Sequence, residues 1–347
     1  MRRPDLLRTV PVVTAAALLM ATGCSSGGSS SSADGSGGAT RVTLALDWTP
    51  NTNHTGIYVA QQLGWFKKAG IDLKIVPYGS TAPETLIANH KADFGISYQE
   101  GITTARAAGQ DITSVYAVTQ KTDVTVAVRA NRTDISSPKD LDGKTYAGFG
   151  APYEKPLLQK VIQNAGGKGD FKEVTLNTSA YAALYAGKAD FAMPEPTWEG
   201  LEAKLTGKPL KNFQLSDYGF PAIYSTVIAS SDQYLAKNPA IAKKFLAAVN
   251  KGYEYAADNP DKAADLLIKA NKSVLTNTEL VKESEQLLAK DYYRAADNSI
   301  GGQSKERWQA FADFEFKAGL LSDANGKKLT KAPDASTFFT TKFLPGQ

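Results

Sequence analysis

Apolar and polar residues follow two alternating periodicities along most of the chain. A short apolar run at 42–46 is typical of a buried strand, and residues 93–97 are also predicted to form a strand. Val59 and Phe66, in contrast, share a helical face that ends before Gly70. Strands and helices that alternate in this way form parallel sheets with crossover helices. The pattern therefore predicts an α/β fold.

Two segments of the chain carry the same local pattern. Residues 86–94 (LIANHKADF) and 184–191 (LYAGKADF) each end a helix, turn, and begin a buried strand at Ala-Asp-Phe. Four shared residues can recur by chance, but these segments occupy equivalent places in successive α/β stretches. We therefore predict two lobes of similar construction.

Two β-branched apolar segments, residues 124–130 and 224–229, mark the predicted crossings between the lobes. We interpret them as strands that carry the chain out of lobe one and back again. Lobe one then comprises residues 41–130 and 224–347, and lobe two comprises residues 131–223.

Helical spacing dominates the chain after Ser231. Helices are predicted near residues 260–270, 277–292 and 303–319. We expect these helices to complete lobe one, and the aromatic tail at 338–343 to close the structure.

Residues 1–23 have the pattern of an export signal. Three arginines precede an apolar run at 10–22 that is too short to span a bilayer. Small residues then lead to Cys24, the chain's only cysteine, as in the lipobox of bacterial lipoproteins. The alternative is an ordinary signal-peptide end with an incidental cysteine. We favour lipidation because a Gly/Ser-rich tether, residues 24–40, follows and would link a membrane anchor to a domain outside the cytoplasmic membrane.

Charge and cysteine usage narrow the classes of partner. The formal charge is +4, and removal of the signal segment, with three arginines and one aspartate, lowers it by two. This near-balance gives no electrostatic basis for binding nucleic acid. Because an acylated Cys24 leaves no thiol for a disulfide, the domain must depend on its own core for stability.

Polar and aromatic residues gather where the predicted strands end. In open α/β sheets, ligands bind beyond the carboxyl ends of strands. The candidates there are Asp47, Trp48, Asn51 and His54 after the first strand, Tyr98 and Gln99 after the third, Glu195 and Trp198 in lobe two, and Tyr224 at the return crossing. Aromatic faces combined with a few acids and amides suit a flat heteroaromatic ligand with amino groups.

Several candidates also have plainer interpretations. Trp48 is compatible with a core position, Glu195 with a surface turn between two prolines, and His54 with a helix start. The polar neighbours of Trp48 favour the site. Residues 148–150 (GFG) precede a helix and form a weak anion-binding pattern.

Patterns for catalysis are sparse. No serine lies in a GxSxG-like elbow, and the two histidines lack metal-ligand spacing. We therefore predict no enzyme activity, no metal and no cofactor. A two-lobe protein that closes around a captured ligand by a hinge is the simpler interpretation.

The opening motif resembles a known signature. Residues 46–60 (LDWTPNTNHTGIYVA) are similar to the signature of solute-binding proteins for thiamine pyrimidine precursors, relatives of the fungal enzyme that makes the thiamine pyrimidine. The similarity extends over the whole domain, including residues 64–73 (GWFKKAGIDL) and 91–95 (KADFG). These further motifs are shared with binding proteins for sulfonates, nitrate and riboflavin.

The resemblance implies a type II periplasmic-binding fold. It implies delivery of a formylamino-, hydroxymethyl- or aminomethylpyrimidine to an ABC importer, whose permease and ATPase would be the partners of a monomer. Where the fungal enzyme has its cofactor-binding lysine and consumed histidine, this chain aligns Ser97 and Gly101. The enzyme's cysteine-rich stretch corresponds to residues 221–225, which contain no cysteine. The resemblance therefore implies transport without chemistry.

Within the opening motif, we hypothesise that Thr52 or Asn53 caps the following helix. The side chains expected to face the cleft are Asp47, Trp48, Asn51 and His54. The alternatives are a binder of riboflavin, a sulfonate or nitrate, a pyrimidine synthase of the same fold, and a sensor that docks on a membrane partner. An anion binder should place Arg or Lys beside the site segments, and none adjoins them in the sequence.

Overall fold

Two five-stranded β-sheets form the framework of the fold. The computed structural model describes residues 38–122, 124–151 and 153–346, so the signal segment and Cys24 lie outside the described residues. The strands are β1 Thr40–Ala45, β2 Ile71–Val76, β3 Phe94–Tyr98, β4 Thr113–Ala117, β5 Thr125–Arg129, β6 Thr145–Gly148, β7 Lys172–Thr175, β8 Phe191–Ala192, β9 Leu210–Gln214 and β10 Thr226–Ser230. The helices are α1 Thr55–Gln62, α2 Trp65–Lys68, α3 Pro83–Ala88, α4 Gln99–Ala107, α5 Glu154–Asn164, α6 Ala180–Tyr185, α7 Leu201–Leu205, α8 Asp232–Lys237, α9 Pro239–Asp258, α10 Pro260–Ala270, α11 Thr278–Asp291 and α12 Lys305–Lys317.

Both sheets have the same topology. The first has the order β2-β1-β3-β10-β4, and the second has the order β7-β6-β8-β5-β9. In each sheet three neighbouring strands run parallel, and the fourth strand runs antiparallel to both of its neighbours. The predicted α/β fold with two lobes is confirmed.

An aspartate precedes the third strand of each parallel set. Asp93, before β3, accepts hydrogen bonds from the backbone N–H of Thr43 at 2.7 Å and from its hydroxyl at 2.8 Å. Asp190, before β8, accepts from the N–H of Thr145 at 2.8 Å. The Ala-Asp-Phe repeat thus marks the same junction in the two sheets.

One strand belongs to a different sheet from the one the sequence predicted. β5 was expected to end lobe one, but it pairs with β8 and β9 in the second sheet. The shared topology explains the difference, because β5 and β10 fill equivalent antiparallel positions and each follows a crossing. We accordingly propose that lobe two begins before β5.

Helix α12 contacts both lobes, whereas the sequence predicted that it completes lobe one. Its Trp308 lies in an apolar cluster with residues of the first sheet, such as Val227. Its Phe311 belongs to the core of the second lobe, and the ring centroid of Phe314 lies 4.4 Å from that of Phe220. The helix therefore joins the two cores.

Backbone approach limits the residues that can occupy the α1–α9 contact. A Cβ atom at Gly252 would lie only 1.9 Å from the carbonyl oxygen of Gly56. The two helices pack backbone to backbone here, which fixes α1 and the turn before it. The single helix predicted up to Gly70 is two helices, because Gly64 adopts a left-handed φ of 71° between α1 and α2.

The C-terminal tail runs beside β4. The N–H of Ser114 donates to the carbonyl of Phe338 at 2.9 Å, and the N–H of Thr340 donates to the carbonyl of Ser114 at 2.8 Å. In the described ranges, no helix has the length and apolarity to cross a membrane.

Buried polar groups on and after α9 and α11 form hydrogen bonds with the turn before α1 and with its first residue. The hydroxyl of Tyr253 donates to the carbonyl of Asn53 at 2.6 Å, and that of Tyr293 donates to the carbonyl of Thr52 at 3.0 Å. Glu285 accepts from the hydroxyl of Thr55 at 2.5 Å. Burial raises the pKa of Glu285 to about 8.

We expect Glu285→Gln to change how stability depends on pH. Because burial raises the pKa of Glu285 from 4.5 to about 8, the folded protein binds more protons than the unfolded chain between these values. The contribution of this group to stability is therefore lost as pH rises through that interval. Relative to wild type, the variant should gain about 1 kcal/mol or more between pH 5 and pH 8.

Urea unfolding at pH 5, 6.5 and 8 measures this difference. Glu283→Gln, on the same helix, is the control and should follow the wild-type pH dependence. Parallel pH profiles for wild type and Glu285→Gln would contradict the prediction.

Candidate functional site

The turn between β1 and α1 is organised by Asn51. Its Oδ1 accepts from the N–H of Asn53 at 2.9 Å, and its own N–H donates to Nδ1 of His54 at 3.3 Å. This reciprocal pair starts a 3-10 turn, Thr52–His54, that continues into α1. The cap is therefore Asn51, not Thr52 or Asn53 as the sequence predicted.

Asp47 shares its carboxylate between two partners. Nδ1 of His54 accepts a hydrogen bond from the N–H of Asn51, so the ring proton is on Nε2, which donates to Oδ1 of Asp47 at 2.8 Å. The hydroxyl of Tyr98 donates to Oδ2 of Asp47. The exposed fractions of Asp47 and His54 are 6% and 0%. His54 thus lies beneath the turn rather than facing the cleft, and it orients Asp47, which in turn orients Tyr98.

Asn53 connects the two lobes. Its Nδ2 donates to Oε2 of Glu195 at 2.8 Å. Glu195 follows β8, and its N–H donates to Oε2 of Glu199 at 3.1 Å. The segments that follow β1 and β8 therefore meet across the cleft, as expected for strands whose carboxyl ends point to a common site.

A cavity of about 60 Å³, the first cavity, lies where these segments meet. Trp48 forms one wall, with its ring centroid 4.9 Å from that of Phe149 and 6.0 Å from that of Tyr181. Of the residues proposed from the sequence, four line this cavity: Trp48, Asn51, Tyr98 and Glu195.

A larger cavity of about 340 Å³, the second cavity, adjoins the first. It extends between α3, α4 and the loop after β6, and Asp47 contributes to its lining. Tyr98, Phe149 and Tyr153 line both cavities. The two spaces are therefore parts of one cleft, divided by three aromatic side chains, and the second has the size of a small-molecule site, about 300 Å³ or more.

Four residues proposed from the sequence lie outside both linings, namely His54, described above, and Gln99, Trp198 and Tyr224. Gln99 is buried, and its Oε1 accepts from the N–H of Tyr224 at 2.8 Å. The hydroxyl of Tyr224 accepts from the N–H of Ser304 at 2.9 Å. Trp198 packs against an apolar cluster that includes Tyr58. These side chains join elements of the framework to one another.

The sequence analysis missed several residues that line the first cavity. They are Asn53, Glu100, Val124, Tyr153, Glu154, Tyr181, Met193 and Glu199, together with Phe149. Three of them had given a signal: Phe149 through the GFG segment, and Asn53 and Met193 through the strand-end segments that contain Trp48 and Glu195. In the GFG segment, the N–H groups of Phe149 and Gly150 donate to the carboxylate of Glu154 at 3.2 and 2.9 Å, so the loop binds an acid of its own chain.

Burial shapes the electrostatics of the cleft. Desolvation raises the pKa of Glu100 to about 7. Desolvation also raises the pKa of Glu154, although the loop N–H groups oppose this rise. Burial first, and then the Asp47 charge, raise the pKa of Tyr98 well above its ordinary value, so its hydroxyl remains a donor. Among the described residues, no three His, Cys, Asp or Glu side chains are grouped to hold a metal ion.

The chain is similar in sequence to several known proteins. A sequence model of the family described as NMT1/THI5 like matches residues 51–263. A formylaminopyrimidine-binding protein of Halalkalibacterium halodurans is 31% identical over 278 residues, which cover 77% of this chain and 82% of that protein. A 4-amino-5-hydroxymethyl-2-methylpyrimidine phosphate synthase of Legionella pneumophila is 26% identical, with coverage of 68% and 76%.

A solved structure supports the fold. The alkanesulfonate-binding protein SsuA of Xanthomonas axonopodis pv. citri, bound to MOPS, superimposes with a TM-score of 0.65 at 16% identity. The match covers 87% of this chain and 99% of that one. The periplasmic-binding fold that the sequence resemblance implied is confirmed.

We expect Asp47→Asn to destabilise the protein by about 1–3 kcal/mol. His54 and Tyr98 each donate to one oxygen of Asp47, and in the variant one of these donors would face an NH₂ group, which cannot accept. Asp72→Asn is the control. Asp72 is exposed and pairs with Arg41 at 3.4 Å, so its loss should cost under about 0.5 kcal/mol. Chemical denaturation measures both, and equal effects of the two substitutions would contradict the role assigned to Asp47.

Proposed function

Because this chain belongs to the NMT1/THI5-like family, we propose that it is an extracytoplasmic solute-binding protein that captures a thiamine pyrimidine precursor for an ATP-driven importer. The first cavity carries this proposal, since aromatic rings and carboxylates from both lobes surround one space. A flat ring with amino groups needs both kinds of contact. The related formylaminopyrimidine-binding protein has, by its name, a ligand of this class.

The ligand ring is proposed to lie against the face of Trp48. Phe149 and Tyr181 approach the same indole, so ligand and side chains would form an aromatic stack. Glu195 would accept hydrogen bonds from the amino group of the ring. The Tyr98 hydroxyl donates a hydrogen bond to Asp47, which leaves the hydroxyl oxygen as an acceptor for the ligand.

Entry of the ligand is proposed to require that the lobes move apart. The first cavity, about 60 Å³, is much smaller than most small-molecule sites, which begin at about 300 Å³. The Asn53–Glu195 hydrogen bond and the Trp48–Phe149 contact both cross the cleft, so opening would break these interactions. Closure around a ligand would restore them and bury the ring.

Capture without chemistry is the proposed activity, although the Legionella relative is a synthase by its name. At the position where the sequence resemblance puts the fungal enzyme's cofactor-binding lysine, this chain has Ser97, whose hydroxyl donates to the half-buried Glu84. A serine hydroxyl cannot form the imine that an amine forms with a carbonyl. A pyrimidine product released after incubation with pyridoxal phosphate and iron would instead favour the synthase.

Export and anchoring complete the proposal. The signal pattern of residues 1–23 and the Gly/Ser tether favour a lipoprotein held at Cys24 on the outer face of the cytoplasmic membrane. Mass spectrometry of the mature protein should therefore show Cys24 as the N-terminal residue, with a lipid attached to it. An unmodified Cys24 in the membrane-extracted protein would contradict the anchor.

We expect pyrimidine precursors to stabilise the folded protein. A ligand at about 100 times its dissociation constant adds about 2.7 kcal/mol when it binds only the folded state. Thermal unfolding with formylaminopyrimidine, aminomethylpyrimidine and hydroxymethylpyrimidine should show this shift, whereas riboflavin and taurine should not.

Trp48→Ala should remove the shift, because it deletes an aromatic wall of the first cavity. Trp65→Ala is the matched control. Trp65 lies outside both cavity linings. Its ring instead packs against Lys251, whose Nζ lies 4.4 Å from the ring centroid. The Trp65→Ala variant should therefore keep the ligand shift. An unchanged shift in folded Trp48→Ala would contradict the proposed site.

A further inference from the structure

Glu100 differs from the other acids of the first cavity. It is the second residue of α4, is only 4% exposed, and lines the cavity. Its Oε2 has no hydrogen-bond partner. A buried carboxylate oxygen that lacks a partner is costly unless a ligand supplies one, so its position at a cavity wall indicates a ligand contact.

The remaining carboxylates of the cavity already have partners within the chain. Glu154 accepts from two loop N–H groups. Glu195 accepts from Asn53, and Glu199 accepts from the N–H of Glu195. Among the described acids of this lining, Glu100 is therefore the one with a buried oxygen that no group of the chain binds, so it can accept from a second donor on the ligand besides the amino group assigned to Glu195.

Charge in the lining favours a cation. It contains four glutamates, and no lysine or arginine is among its described residues. The groups that act electrostatically with Glu100 are the phenol of Tyr153 and the carboxyl of Glu315 on α12. Neither group supplies a positive charge, so neither of them neutralises Glu100.

The aromatic walls reinforce this preference. Trp48 and Phe149 present ring faces and edges to the same space, and aromatic faces attract cations. An anionic ligand would meet unfavourable charge on several sides. A neutral alcohol could donate one hydrogen bond to the Glu100 carboxylate but would bring no positive charge to offset the carboxylate charge.

We propose that the first cavity selects a flat amino-heteroaromatic ligand with a protonated primary amine, whose ammonium group binds the carboxylate of Glu100. This inference rests on the proposed function and specifies its ligand. Aminomethylpyrimidine has such an ammonium group, whereas hydroxymethylpyrimidine has a hydroxyl at the same place. The two ligands therefore isolate the contribution of the charge.

Isothermal titration of the purified protein with both ligands tests the proposal. Hydrogen bonds to charged groups contribute roughly 1.5–3 kcal/mol, so wild type should bind aminomethylpyrimidine about tenfold or more tightly than hydroxymethylpyrimidine. Glu100→Gln keeps the shape of the side chain but removes its charge. It should abolish the preference and change the affinity for hydroxymethylpyrimidine by less than about threefold.

Glu283→Gln is the control, because it neutralises a glutamate of α11 that does not line either cavity. It should keep the wild-type preference. Equal binding of both pyrimidines by wild type, or an unchanged preference in folded Glu100→Gln, overturns the assignment to Glu100 but leaves pyrimidine capture intact. Failure of wild type to bind any of the precursors overturns both proposals.

Discussion

The site depends on one buried carboxylate, that of Asp47. It accepts from His54 on one side and from Tyr98 on the other, so both of its oxygens have partners away from water. His54 is itself fixed by the N–H of Asn51, which also caps the following turn. One network therefore determines the path of the chain from β1 into α1 and the direction of the Tyr98 hydroxyl.

This network acts at the edge of a rigid framework. The backbones of α1 and α9 are in contact at Gly56 and Gly252, and buried tyrosines bind the carbonyls of the turn. Because these contacts fix the turn, Trp48 and Asn53 face the opposite lobe. The loops after β6 and β8 supply the other half of the cavity, so the site is complete only when the two lobes meet.

The strand ends were the part of the site that sequence could predict. The α/β alternation and the rule for ligands at strand ends placed Trp48, Asn51, Tyr98 and Glu195, all of which line the first cavity. The same rule located Gln99 and Tyr224 at strand ends but could not give the direction of their side chains. Successive residues at a strand end point different ways, and Gln99 turns inward to bind the N–H of Tyr224.

Long-range packing explains the remaining differences. Trp198 follows Glu195 by three residues, yet a short π-helical turn, Pro196–Gly200, directs it toward the cluster with Tyr58. Glu100 gave no sequence signal, because a glutamate in the first turn of a helix is usually explained by the helix dipole alone. Its carboxyl group interacts electrostatically with Glu315 of α12, whose contact with both lobes no local pattern could show.

The most direct test of the account is a crystal structure of the protein with a bound pyrimidine precursor. The account predicts electron density for the ring against Trp48, enclosed by Phe149 and Tyr181, with its amino group within hydrogen-bond distance of Glu195. Density for the ligand outside the cleft between the two sheets, or a ring that makes no contact with Trp48, would contradict it.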